Sequence, residues 1–284
     1  MIIPKSYNYI GAFLTYNCNL NCSYCINHFD YLALVMQRTA GEWVDHLKHI
    51  PTTPELPITL QGGEPTCLTG FYWLVNRLHK QGAFLDLLTN GDFNPYYFAK
   101  RISPEVFKRP SKYANIRFSY HVGAIKIQYL AKCVKFLQDE GYSVGIWALD
   151  HPSTRDHVSD AKRYCEDIGI DFRVKEFLGW YNEVLYGTYK YPNAIQKPHK
   201  VVPTEVYCKP SELLINPEGF IFRCTRDLYA NENSIGHIRD KRFKPPIKFA
   251  KCKNFGNCNP CDIKLKFNRF QELGHCSVEI KKGG

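Results

Sequence analysis

The chain has 284 residues, of which 44% are hydrophobic and 23% are charged. This balance is that of an ordinary globular protein, and it excludes a disordered chain of low hydrophobicity and high charge. No run approaches the ~18 apolar residues that a membrane span needs, and residues 1–16 lack a signal-peptide pattern, so the sequence predicts a cytoplasmic protein without membrane contact.

The first 177 residues alternate between short apolar strands and amphipathic helices. Strands are predicted at residues 9–15, 57–60, 83–88, 116–120, 144–149 and 170–177. Helices are predicted at residues 40–50, 71–78, 124–139 and 153–168, the last of them capped by Ser153. Such βα repeats favour a parallel sheet, either open and doubly wound or a partial barrel, with sites at the C-terminal ends of its strands.

Beyond residue 177 the βα alternation stops, and residues 178–207 are typical of a surface connector. A β-hairpin is predicted over residues 212–223 and a helix over residues 262–273. The domains expected are therefore a parallel-sheet domain at 1–177, the connector at 178–207 and a cysteine-rich domain at 208–284. The short segment before the first strand predicts no separate N-terminal peptide-recognition domain, which disfavours a leader-dependent peptide substrate.

Twelve cysteines in a reducing compartment are expected to be metal ligands or catalytic groups rather than disulfides. Three of them, Cys18, Cys22 and Cys25, form a C-x3-C-x2-C loop directly after the first strand. Three thiolates on one loop can hold three irons of a [4Fe–4S] cluster and leave the fourth iron open. A zinc site with His28 as the fourth ligand is the alternative that this spacing leaves open.

This loop resembles the signature of the radical S-adenosylmethionine (SAM) superfamily, and the resemblance covers roughly residues 8–177. It extends to Gly62-Gly63-Glu64-Pro65 after the second strand, to Asn90 after the third and to Ser119 in the fourth. The resemblance implies that the open iron binds the methionine moiety of SAM, and that reductive cleavage gives a 5′-deoxyadenosyl radical. The cofactor-binding residues that it implies are Tyr24 against the adenine, with Gly62, Gly63, Glu64, Pro65, Asn90 and Ser119.

Taken singly, these residues also have ordinary structural explanations. The two glycines suit a tight turn, Glu64 suits a helix N-terminus, and Ser119 and His121 suit satisfied polar groups at a strand end. Their order along the βα series favours the SAM site over separate structural roles.

Six more cysteines lie in residues 208–284, with spacing that resembles the Twitch and SPASM extensions of radical SAM enzymes. A full SPASM extension carries seven cysteines, and here the corresponding run is shorter, with Cys252-x5-Cys258-x2-Cys261. The resemblance implies one auxiliary Fe–S cluster on Cys208, Cys224, Cys258 and Cys261, which leaves Cys252 and Cys276 free. Two three-cysteine clusters with open irons, or a zinc site on the same residues, are the alternatives.

The net charge of +10 is concentrated in residues 178–284, which hold 18 Lys and Arg against 10 Asp and Glu. This imbalance indicates either a solvated basic face or an anionic partner. The candidate contacts to such a partner lie beside the predicted cluster cysteines and are Arg223, Arg226, Lys264, Lys266 and Arg269.

The sequence therefore predicts a radical SAM enzyme that oxidises or modifies a small, anionic molecule or a peptide after hydrogen abstraction. Its expected fold is a partial (β/α)6 barrel followed by a small cysteine-rich cap, and its electrons are expected from an external donor such as flavodoxin or ferredoxin. The candidates for proton transfer at the barrel mouth are His121, Lys175 and Glu176. The alternatives are a radical SAM enzyme that modifies tRNA or other RNA, and a non-catalytic Fe–S or zinc-binding protein.

Overall fold

The computed structural model describes residues 1–25, 37–197, 202–266 and 274–282. The chain divides into two compact units. Ala12–Glu176 form one, called here the parallel-sheet unit, and Met1–Gly11 with Phe177–Gly284 form the other, called the cysteine-rich unit. Among the described residues, no helix has the length and apolar character needed to cross a bilayer.

Six strands alternate with helices in the parallel-sheet unit, although β1 begins in the other unit. The strands are β1 (Tyr9–Thr15), β2 (Ile58–Gly62), β3 (Leu85–Thr89), β4 (Ile116–Tyr120), β5 (Val144–Asp150) and β6 (Phe172–Glu176). The helices are α1 (Ala40–Leu47), α2 (Phe71–Lys80), α3 (Pro95–Arg101), α4 (Ile127–Asp139) and α5 (Arg155–Asp167). The strands lie in the order β1-β2-β3-β4-β5-β6, and β2 to β6 pair in parallel. The mixed α/β class and the parallel sheet are confirmed, and closure into a partial barrel stays a prediction.

Local sequence signals explain where these helices begin. Thr39 and Glu42 form a capping box at α1, in which the Thr39 hydroxyl accepts from the Glu42 N–H at 3.2 Å and the Glu42 carboxylate accepts from the Thr39 N–H at 3.0 Å. Helix α4 buries one apolar stripe at helical spacing, as its sequence predicts. Helix α3, which the sequence analysis missed, has only seven residues, and an Asn94 cap followed by Pro95 starts it.

The interior of the parallel-sheet unit holds one ion cluster beside its apolar core. Asp86 on β3 is buried, and its carboxylate accepts two hydrogen bonds of 2.7 Å from Arg109 and one of 3.0 Å from Arg117. The Arg109 side chain is only 3% exposed. Because a buried charge is costly unless it is paired, this cluster fixes β3 and β4 against the segment that carries Arg109.

Antiparallel pairs build the cysteine-rich unit. Its strands are β7 (Gly179–Tyr181), β8 (Val184–Tyr186), β9 (Thr204–Pro210), β10 (Glu212–Ile215), β11 (Phe220–Phe222), β12 (Gly236–His237), β13 (Ala250–Phe255) and β14 (Val278–Lys282), and its helices are α6 (Thr225–Ala230) and α7 (Pro260–Ile263). The predicted hairpin is confirmed, because β10 and β11 pair antiparallel and β12 continues that ladder. In a second sheet β13 and β14 flank β9.

Three predicted elements differ from the structure. The expected surface connector contains the β7–β8 hairpin and the start of β9. Helix α5 begins at Arg155 rather than at Ser153, because the Ser153 hydroxyl is engaged by the His151 Nδ1 at 2.7 Å and does not cap the helix.

The third predicted element that differs from the structure is the helix expected over residues 262–273. The structure has a helix that ends at Ile263, after which Lys264 and Lys266 form isolated bridges with Tyr189 and His275. Residues 267–273, which include Arg269, lie outside the described residues. Backbone pairing with Tyr189 and His275 therefore keeps Lys264 and Lys266 in an extended conformation, where helical propensity alone predicted another helical turn.

Replacing Arg109 by Ala is predicted to lower the free energy of unfolding by about 3–5 kcal/mol, because it leaves a buried carboxylate with a single partner. Denaturant titration measures this loss. The adjacent Lys108→Ala variant is the matched control, since Lys108 pairs with Glu105 at the same 2.7 Å but both side chains are more than 60% exposed. Equal losses in the two variants would contradict the role assigned to the Asp86 cluster.

Candidate functional site

The loops that follow β1 and β2 meet through their backbones. The Gly63 N–H donates to the Thr15 carbonyl at 2.7 Å, and the Glu64 N–H donates to the Asn17 carbonyl at 2.8 Å. A Cβ atom on Gly63 would lie 2.3 Å from the Asn17 oxygen, so only glycine allows this approach. The two-glycine motif therefore fixes the start of the cysteine loop against the end of β2.

Glu64 joins the loops after β2 and β3. It is completely buried, and its Oε1 accepts from the Thr66 N–H at 3.1 Å, the Thr66 hydroxyl at 2.7 Å and the Thr89 hydroxyl at 2.8 Å. Its Oε2 accepts from the Asn90 N–H at 2.7 Å. Burial raises the pKa of this carboxyl, and the four hydrogen bonds oppose that shift.

Asn90 extends this hydrogen-bonded network to the cysteine loop. Its side-chain Nδ2 donates to Asn19 Oδ1 at 2.8 Å and lies 3.8 Å from the Cys18 sulfur. Asn19 in turn donates to the Asp92 carboxylate at 2.9 Å. The loops after β1, β2 and β3 are thus one hydrogen-bonded assembly.

Cys18, Cys22 and Cys25 lie together on this assembly. Cys18 is exposed, Cys22 and Cys25 are half-buried, and the Cys25 N–H donates to the Cys22 carbonyl at 3.0 Å. Burial, followed by the nearby Cys25 and Cys18 thiols, raises the pKa of Cys22 to about 11. Three thiols on one short loop are the donor set that a cluster with one free iron requires. His28 lies outside the described residues.

Two imidazoles stack on Tyr24, which belongs to the same loop. Its ring stacks on His121 and His151 with centroid separations of 5.9 and 5.6 Å, and its hydroxyl lies 3.1 Å from His121 Nδ1. Burial lowers the pKa of both histidines, which favours neutral rings. The sequence analysis singled out His121 but missed His151, because a lone histidine after β5 carries no motif.

The remaining predicted residues of this unit are dispersed along the strand ends. Pro65 starts the 3-10 helix Pro65–Cys67, and Ser119 is half-buried in β4, opposite Trp147. Lys175 and Glu176 end β6, two strands away from His121 in the sheet order, and pair with the end of β5. The structure thus groups His121 with Tyr24, whereas Lys175 and Glu176 lie further along the edge.

A separate cavity in the cysteine-rich unit is lined by Cys208, Cys224, Cys252 and Cys258. The antiparallel register of β13 on β9 brings Cys252 opposite Val206, next to Cys208. Cys224 caps α6, and its sulfur accepts from the Asp227 N–H at 3.4 Å. A hydrogen bond from the neighbouring Cys208 thiol lowers the pKa of Cys252.

The other two cysteines of this unit lie elsewhere. Cys261 sits in the first turn of α7 and Cys276 is fully buried with its thiol donating to the Val278 carbonyl at 3.1 Å, and neither lines the cavity. The spacing-based ligand set thus differs from the cavity lining at one position, with Cys252 in place of Cys261.

The candidate contacts to an anionic partner have internal partners. Arg223 and Arg226 pair with Asp227 at 3.1 and 3.0 Å, and Lys266 pairs with Glu212. Lys264 forms a backbone β-bridge with Tyr189, which places its main chain only. The side chains of Arg223, Arg226 and Lys266 therefore support the local structure of the unit.

Within the described ranges, no group of three or more His, Cys, Asp or Glu side chains is arranged to hold a single metal ion. Thiols nevertheless converge on one loop, at Cys18, Cys22 and Cys25, and around one cavity in the cysteine-rich unit.

Two curated relatives match parts of the chain, whereas no family model matches it. An S-adenosylmethionine-dependent nucleotide dehydratase of Selenomonas ruminantium is 32% identical over 103 residues, or 35% of each chain. A PqqA peptide cyclase of Streptomyces rochei is 30% identical over 78 residues, which is 28% of this chain and 21% of that protein. The matches thus span about a third and a fifth of these relatives.

The fold has solved counterparts. The structure described as native anSMEcpe with bound AdoMet and Cp18Cys peptide covers 82% of this chain and 77% of its own, with a TM-score of 0.53 and 14% identity. The chain is therefore similar to S-adenosylmethionine-dependent enzymes over about a third of its sequence, and it shares the fold of a solved AdoMet-binding structure. Its triple-cysteine loop, the two-glycine motif and the parallel sheet all occur in the parallel-sheet unit.

Replacing Gly63 by Ala is predicted to lower the free energy of unfolding by about 1–3 kcal/mol, as overpacking does. The backbone oxygens of Tyr16 and Asn17 block the new methyl group, so no side-chain rotation relieves the clash. Gly41→Ala in α1 is the control, because its nearest atom lies 3.9 Å away and alanine favours a helix. Denaturant titration should separate the two, and equal stabilities would contradict the close approach at Gly63.

Proposed function

We propose that this chain is a radical SAM enzyme that holds a [4Fe–4S] cluster through Cys18, Cys22 and Cys25 and binds SAM beside it. The observation that carries this proposal is the hydrogen-bonded assembly of the three loops, which joins the thiols to Gly63, Glu64 and Asn90. The AdoMet bound in the structural counterpart supports it. The finer fold proposed is a partial (β/α)6 barrel at residues 1–177 with a cysteine-rich cap at residues 208–284.

A [4Fe–4S] cluster held by Cys18, Cys22 and Cys25 would supply the one-electron reduction that cleaves SAM for hydrogen abstraction from substrate. The chain's own residues prepare the site for this chemistry. Gly63 lets the loop backbones approach, Glu64 fixes the loops after β2 and β3, and Tyr24 presents a ring held by two imidazoles. His121 is the proposed proton-transfer group, since burial keeps its imidazole neutral and able to accept a proton.

A second cluster is proposed in the cysteine-rich unit. Four thiols line one cavity, together with the apolar side chains of Ile263, Val278 and Ile280. Four thiolates are the usual ligand set of a closed [4Fe–4S] cluster. We therefore assign the auxiliary cluster to Cys208, Cys224, Cys252 and Cys258, with Cys261 and Cys276 outside it.

The proposed reaction is oxidation or modification of a peptide or of an anionic small molecule. The counterpart with a bound Cp18Cys peptide and the PqqA peptide cyclase support a peptide. The nucleotide dehydratase supports an anionic small molecule, as does the excess of positive charge in residues 178–284. An external one-electron donor of the flavodoxin or ferredoxin type completes the proposal.

Reduced, anaerobically reconstituted protein is predicted to cleave SAM to 5′-deoxyadenosine and methionine, slowly even without substrate. Cys22→Ala should abolish this cleavage because it removes an iron ligand, whereas Cys165→Ala, which removes a buried thiol from α5, should retain it. Chromatographic measurement of 5′-deoxyadenosine checks both variants. Undiminished cleavage by Cys22→Ala would show that another site holds the reactive cluster.

Iron analysis tests the two ligand sets. The wild-type protein is expected to hold about eight iron atoms per chain, and the Cys18, Cys22 and Cys25 to Ala triple variant about four. In that triple variant, a further Cys252→Ala change should remove or degrade the remaining cluster, and Cys261→Ala should not. Loss of the cluster in Cys261→Ala with its retention in Cys252→Ala would show that Cys261, and not Cys252, is the ligand.

A further inference from the structure

One buried cation faces the cysteine cavity. Arg223 directly follows β11 and is 9% exposed, and its guanidinium lines the cavity with the four thiols. Its positive charge interacts with the thiols of Cys208, Cys224 and Cys252. A cation in such a position is expensive to bury, so its retention requires partners on several sides.

The same guanidinium braces two elements that carry thiols. Its Nη1 donates to the Lys251 carbonyl at 3.0 Å, next to Cys252 on β13. Its Nη2 donates to Asp227 Oδ2 at 3.1 Å, in the helix that Cys224 caps. Arg223 therefore ties the strand that bears Cys252 to the helix that bears Cys224.

Among the charged side chains around the cavity, Arg223 is the cation that balances the charge of the thiolates. Arg226 also lines the cavity, but its Nη1 is shared between Asp227 at 3.0 Å and Glu232 at 2.7 Å. Asp262 is buried and accepts from the Thr225 and Arg226 N–H groups at 2.7 and 3.0 Å. The carboxylates of Asp227 and Asp262 add negative charge beside the thiols. The positive charge of Arg223 therefore opposes the combined negative charge of the carboxylates and the thiolates.

We propose that Arg223 is a positioning residue of the auxiliary cluster, which holds the Cys224 and Cys252 thiols in place and raises the reduction potential of the cluster. This inference rests on the auxiliary cluster proposed above. Reduction adds one electron, and hence one negative charge, to the cluster, and a fixed positive charge in a medium of low dielectric stabilises that reduced form.

The test is a potentiometric titration followed by electron paramagnetic resonance. It uses the full chain with Cys18, Cys22 and Cys25 changed to Ala, so that only the auxiliary cluster gives a signal. Arg223→Gln should lower the midpoint potential, and Arg223→Lys, which keeps the charge, should restore most of it. Lys251→Gln is the matched control, because its 64% exposed side chain loses the same charge into solvent and should leave the potential nearly unchanged.

Asp227→Asn is expected to shift the midpoint potential in the opposite direction. It removes a negative charge beside the cavity and should raise the midpoint potential, which a merely loosened fold would not do. Full iron content with an unchanged potential in Arg223→Gln would overturn the role of Arg223 alone. If Arg223→Gln loses its iron, an unshifted or lowered potential in Asp227→Asn would likewise overturn it. Absence of auxiliary iron from the unmodified chain would instead contradict the proposed cluster itself.

Discussion

The parallel-sheet unit depends on the burial of the Glu64 carboxylate. A carboxylate without solvent must have its oxygens satisfied, and here every donor comes from the chain, through Thr66, Thr89 and Asn90. The loops after β2 and β3 can therefore take only an arrangement that keeps those donors in place. Because Asn90 also reaches Asn19 and the Cys18 sulfur, this one requirement determines where the cysteine loop lies.

The cysteine-rich unit also depends on a buried ionisable side chain whose hydrogen-bonding groups must be satisfied, but here the charge is positive. The Arg223 guanidinium is buried between a backbone carbonyl of β13 and the Asp227 carboxylate of α6, so the elements that carry Cys252 and Cys224 are tied together. In neither unit is a disulfide used among the described cysteines, all of which are free. Thiols that hold the proposed clusters could not also be cross-linked to each other, and buried polar and charged side chains hold their loops instead.

The sequence predicted what depends on local periodicity or on a contiguous motif. The strands β1 to β6, the apolar stripe of α4 and the two-glycine turn belong to this class. It did not predict what depends on pairing across the chain: the register of β13 on β9 decides that Cys252 rather than Cys261 reaches the cavity. Ser153 failed as a cap for a related reason, since His151 competes for its hydroxyl. Such competition between partners is invisible in spacing alone.

The histidine pair around Tyr24 adds a constraint on charge at the cysteine loop. Burial lowers the pKa of His121 and of His151, which favours the neutral form of both imidazoles in the resting protein. Both rings stack on Tyr24, which precedes Cys25 in the cysteine loop, so the neutral form adds ring surface there without a fixed positive charge. The thiols of the loop are therefore left for the proposed cluster and are not paired with a resident imidazolium.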